Sequence, residues 1–105
     1  MTRIVVVLVT CPTAAVGRRL ARELVRRRLA ACVNVLPGVE SVFRWQGKLD
    51  TSREALLLIK TTRARLTQLT RAVIALHPYD LPEVIALPVA GGHRPYLHWV
   101  ASSVV

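Results

Sequence analysis

Three stretches of the chain are apolar at every position: residues 4–9 (IVVVLV), 55–59 (ALLLI) and 84–87 (VIAL). Their length and β-branched content read as strands. Successive strand residues point to opposite faces, so each strand offers hydrocarbon to both sides of its sheet. The helices of one domain can cover one side. An antiparallel sheet with water on its other side should alternate apolar and polar residues, and these strands do not. The remainder of a 105-residue chain is too short to cover the second face. An apolar surface of that size marks an interface. The pattern therefore predicts a homo-oligomer joined through open sheet faces.

The other elements follow from periodicity and punctuation. Strand one spans residues 4–10 and is broken by Cys11-Pro12, with Thr13 placed to cap a helix. That helix runs to about residue 30, with an apolar stripe of Val16, Leu20, Ala21, Leu24, Val25 and Leu29. Its other face carries Arg18, Arg19, Arg22, Arg26 and Arg27, a solvated face or an anion platform. Strand two covers residues 32 to about 46, bent near Pro37-Gly38. Gln46-Gly47-Lys48 is a turn, and strand three covers 52–61. Thr62 is placed to cap a second helix with Leu66, Leu69, Val73 and Leu76 at helical spacing. Pro78 ends it, because proline disfavours the α conformation in the preceding residue. Strand four covers 83–89, and Pro95 opens a short last helix through residue 100.

The order β-α-β-β-α-β plus a terminal helix is an α+β arrangement, the ferredoxin-like two-layer sandwich, in one domain over residues 1–105. Its antiparallel strand order, 4-1-3-2, places Cys11, the turn at residues 45–48 and residues 77–83 on one rim. Cys32 falls at the opposite end, about 20 Å from Cys11 by strand rise. A disulfide needs Cα atoms within about 7 Å, so none is expected within the chain. Two cysteines without metal-finger spacing fit a reducing cytoplasm. No run is long enough to span a bilayer or to form a signal core, so no membrane partner is expected. The net charge is +9, and thirteen of the fifteen basic residues are arginines. That balance fits an anionic partner or a compositional bias toward arginine.

Several blocks resemble the CutA divalent-cation-tolerance family: VVVLVTCP, RLAACVNVLPGVESVFRWQGKL, EALLLIKTT, ALHPYDLPEVIALPV and YLHW, in that order. The resemblance covers nearly the whole chain. It implies a ferredoxin-like fold in a tight homotrimer similar to the PII signalling proteins, with the three sheets facing one another and the long hairpin reaching a neighbour. It also implies tolerance of copper and other divalent cations, and no enzymatic activity. The arginine-rich first helix and Pro95 before Tyr96 depart from relatives, which are usually more acidic there.

The candidate metal ligands are Cys11, His77 and Glu83. Thiolate and neutral imidazole suit copper, and affinity for N, O and S ligands peaks at Cu²⁺. Binding through His77 would weaken below about pH 6. No metal is obligatory for the fold; copper or another divalent cation is the expected ligand. Each candidate also has a structural reading: Cys11 as a small apolar filler, His77 as the end of the second helix, Glu83 as an ion-pair partner across a subunit boundary. An inter-subunit cleft is expected around Trp45, Lys48, Lys60, Tyr79 and Asp80, with Phe43 and Trp45 as interface anchors. His93 and His98 read as surface. The rival reading is a PII-like trimer that binds a small molecule or anion in such clefts. RNA recognition by a related fold stacks bases on aromatics of the first and third strands. Here both strands lack aromatics, so no specific nucleic acid is expected. There is no nucleophile elbow, phosphate loop or fixed carboxylate pair, so no enzyme is expected.

Overall fold

The computed structural model describes residues 2–105. Its elements are β1 (Ile4–Cys11), α1 (Ala14–Arg26), β2 (Cys32–Trp45), β3 (Lys48–Thr62), a 3-10 turn (Arg63–Arg65), α2 (Leu66–Leu76), β4 (Ile85–Pro88) and α3 (Arg94–Ser103). The sheet order is β2-β3-β1-β4 with every neighbour antiparallel, the ferredoxin-like order expected. Cys11 pairs with Ala55 and Cys32 with Lys60, on opposite sides of β3 and five residues apart along it. Both cysteines are free.

One side of the sheet meets α1 and α2. Val5, Val7, Val9 and Cys11 of β1 and Leu57 and Ile59 of β3 bury against Leu20, Leu24, Leu69 and Val73. Helix α1 comes close to β3 at Gly17, where an added Cβ would lie 3.1 Å from Leu57 Cδ2. The alternate residues, Val6, Leu8, Leu56 and Leu58, point away from those helices and are only half-buried. Helix α3 seals one end of this second face through the buried Val100 and Val104, and Arg65 Nε donates to the Val104 carbonyl at 2.6 Å. Ile85 remains 49% and Leu87 46% exposed. The doubly apolar strands thus leave an open hydrocarbon face.

Several boundaries differ from expectation. Strand β3 begins at Lys48, four residues before Ser52, so the β2–β3 hairpin projects well past Cys11. Its turn is Gln46-Gly47 with both φ positive (50° and 79°), as a two-residue hairpin loop requires. Helix α1 stops at Arg26, because the chain turns into the left-handed region at Arg28. Strand β4 is four residues long, and α3 extends to Ser103. Thr13 caps α1 by accepting from Val16 N–H at 3.1 Å. Thr62 makes no side-chain cap; the 3-10 turn leads into α2 instead.

Candidate functional site

The bend after α2 is built by His77-Pro78. Pro78 disfavours helical backbone in the residue before it, and His77 is extended, with ψ 139°. The His77 N–H still reaches the Val73 carbonyl at 2.8 Å. The imidazole, 8% exposed, turns toward β1. Its Nε2 lies 2.7 Å from the Thr10 carbonyl. A carbonyl can only accept, so Nε2 carries the proton. Nδ1 accepts from Tyr79 N–H at 3.0 Å. Both ring nitrogens are engaged. The Tyr79 ring packs on His77 with centroids 4.7 Å apart, and its hydroxyl donates to Glu54 Oε2 at 2.7 Å. A hydrogen-bonded line thus ties β1 through the bend to β3.

Glu54 stands where β3 meets the edge of the apolar core, and it is 8% exposed. By alternation it shares a face with Leu56 and Leu58. Its charge acts on three neighbours. Burial first, and Glu54 second, push the Cys11 thiol up to about 11. Burial, then the hydrogen bond to Glu54, push Tyr79 up to about 12. Burial and the charge of Glu54 raise the Glu83 carboxyl above its ordinary range. At neutral pH Cys11 is therefore a thiol and Tyr79 a neutral donor.

Between the hairpin and the bend lies a cleft of about 900 Å³ whose lining includes Thr10, Trp45, Asp50, Glu54, Tyr79, Asp80 and Glu83. Four of the chain's six acidic residues line it, and no lysine or arginine does. Of the expected cleft residues, Trp45, Tyr79 and Asp80 come together here, joined by Glu83 from the expected metal ligands. Lys48 pairs with Trp45 at the hairpin turn but does not line the cleft. Lys60 sits at the far end of β3, opposite Cys32, and donates to Asn34 Oδ1.

The expected metal ligands are separated by their contacts. Cys11 is fully buried and faces the helices with Val7 and Val9. His77 has no free nitrogen, and only Glu83 reaches the cleft. Among the described residues, no three histidine, cysteine, aspartate or glutamate side chains are grouped to hold a metal ion. Glu54, Asp50 and Thr10 lie outside the set that the sequence suggests. Glu54 does carry a signal: like Glu83, it is an acid directly before an apolar strand run.

The CutA1 divalent ion tolerance protein family matches residues 5–103 of this chain. The chain is similar to "Protein CutA, chloroplastic" of Arabidopsis thaliana, at 50% identity over 99 residues. That match takes in 94% of this chain and 54% of the plant protein, so the chain spans about half of that relative's length. Among solved structures it is similar to the divalent cation tolerance protein (Cut A1) from Thermus thermophilus, with a TM-score of 0.95 and 48% identity over 97% of this chain and 99% of that one. It is also similar to the PII-like protein CutA from Nostoc sp. PCC 7120, with a TM-score of 0.89 and 31% identity over 96% and 97% of the two chains. No described helix is long and apolar enough to cross a membrane.

Proposed function

The chain belongs to the CutA1 divalent ion tolerance protein family, and we propose on that basis that it is a homotrimeric cation-binding protein whose acidic cleft takes up a divalent metal ion at a subunit boundary. The observation that carries this is charge segregation. In a chain of net charge +9, four of six carboxyl groups converge on one cleft that no basic side chain enters. Trimer formation through the open face would remove exposed hydrocarbon such as Ile85 and Leu87 from water, as large apolar patches require. The cleft shares that face through Glu54, so a neighbour stands where it can complete the coordination sphere. A cytoplasmic setting fits the two free cysteines, since thiols stay reduced there.

Oxygen donors of this kind hold many divalent cations, and affinity among first-row ions peaks at Cu²⁺. Copper is therefore the tightest expected ligand, held by carboxylates. Ligation by His77 would require breaking its bond to Thr10 or Tyr79, and ligation by Cys11 would require ionising a thiol raised to about 11. The PII-like alternative of an anion in the cleft takes no support from a lining without lysine or arginine.

Calorimetric titration of Cu²⁺ and Mn²⁺ tests the proposal, with the trimer confirmed in each variant. Glu54→Gln and Glu83→Gln should each weaken binding at least about tenfold, as losses around a metal commonly do. Cys11→Ser should change it little. The pH dependence follows from Glu83. Only its ionised form binds, and its pKa is raised, so affinity is full above that raised value. Affinity then falls as pH drops through it, at higher pH than an exposed carboxylate would impose. Loss of affinity in Cys11→Ser equal to that in Glu83→Gln would move the ion to the thiol.

A further inference from the structure

The topology gathers arginines from three separate parts of the chain at the end of the sheet opposite the acidic cleft. Arg3 precedes β1, Arg26, Arg27 and Arg28 end α1, and Arg63 opens the 3-10 turn. Backbone bonds hold these segments together: Arg63 N–H reaches the Arg3 carbonyl at 2.8 Å, and Ala31 N–H reaches the Lys60 carbonyl at 2.9 Å. The buried Thr61 hydroxyl donates to the Leu29 carbonyl at 2.6 Å. All five arginines are exposed. From this cluster, Arg26, Arg22 and Arg18 continue back along one ridge of α1 at four-residue spacing. Helix rise makes that ridge about 12 Å long. The one acid of α1, Glu23, is already held by Arg26 at 2.6 Å and Arg27 at 2.7 Å. Among the described residues those are the ion pairs, so Arg3, Arg18, Arg22, Arg28 and Arg63 have no carboxylate partner.

A second observation comes from the backbone. Arg28 N–H bonds the Val25 carbonyl and Leu29 N–H bonds the Leu24 carbonyl, each at 3.0 Å. This is the Schellman ending of a helix. Its left-handed position is ordinarily glycine, because a Cβ there is strained. Here Arg28 occupies it with φ 58°. The chain accepts local strain at the one residue of this turn that adds another charge to the cluster, and an outlier of this kind points toward function.

We infer that this basic end and ridge bind the phosphate backbone of nucleic acid without reading its sequence. An elongated row of guanidinium groups, of which only Arg26 and Arg27 have a carboxylate partner, suits a linear polyanion better than a single small anion. Binding to a membrane surface calls for large apolar side chains beside the charges. Here Leu29 and Ala30 are buried, Val25 is a single exposed apolar side chain in the last turn of α1, and the exposed Ile74 and Leu76 lie at the far end of α2. No aromatic side chain lies on α1 or α2, so base stacking has no platform. The inference is independent of the cation cleft and of the trimer.

The test is fluorescence anisotropy with a labelled mixed-sequence single-stranded RNA, across a salt series, alongside phosphatidylserine vesicles. On a single strand, each phosphate contact contributes about 0.7 to the slope of log affinity against log salt. Arg28→Gly and Arg63→Ala should each lower that slope by about 0.7, equivalent to about fivefold weaker binding at 0.1 M relative to 1 M salt. The loss should be the same on unrelated RNA sequences. Arg28→Gly should also raise the thermal midpoint, because glycine relieves the left-handed strain. Arg44→Ala, at the hairpin turn, makes the same change in net charge and should leave the slope unaltered. Equal losses in Arg44→Ala and Arg28→Gly would reduce the effect to net charge and overturn the site. Tighter binding to the vesicles than to RNA would overturn the choice of partner.

Discussion

Leu58→Asp should produce a chain that remains an 11.6 kDa monomer by light scattering at micromolar concentration. Leu58 lies mid-strand in β3, in register with Leu8 on one side and Asn34 on the other, and points away from α1 and α2. In an isolated chain it is half-buried, so an aspartate there still reaches water. Between packed sheets it would not. Burying a carboxylate without a partner costs several kcal/mol, and closed symmetry repeats that cost in every subunit. Interfaces of this obligate kind are large and apolar, and three unpaired charges at the centre exceed what the rim can offset. A parent-sized trimer in the variant would exclude this face as the interface.

His77→Ala should lower the unfolding free energy by about 3 kcal/mol, through the cavity left by the ring and the unpaired groups around it. The ring reaches Thr10 across 67 residues of sequence, accepts from the Tyr79 N–H and packs on the ring that reaches Glu54. Its removal leaves a carbonyl of β1 and the N–H of Tyr79 without partners in a buried corner. The check is the urea midpoint, compared at equal protein concentration because assembly makes stability concentration-dependent. An unchanged midpoint would free His77 from this structural role.

Much of the fold is legible because burial leaves a pattern. The run from Val5 to Val9 and the leucines of β3 mark two strands, and their missing alternation announces the open face. The early part of β3 escapes that pattern because Lys48, Leu49, Asp50 and Thr51 are all exposed on the hairpin, where water on both sides imposes no period. The end of α1 reads too late because arginine at a glycine position gives no stop signal. At the site, residue type misleads where geometry decides. Cys11 has the same parity as Val5, Val7 and Val9, so it belongs to the core, and His77 spends both nitrogens on its own bend. Glu54 reaches Tyr79 over 25 residues through strand order, a contact that spacing alone does not display.

The most direct test of the cation-binding account is native mass spectrometry of untagged protein titrated with Cu²⁺, beside the double variant Glu54→Gln/Glu83→Gln. The account predicts a trimer of 11.6 kDa subunits that gains one ion per subunit, and a double variant that forms the same trimer but retains no copper. A double variant that keeps the full complement of ions, or a parent that binds copper as a monomer, would contradict it.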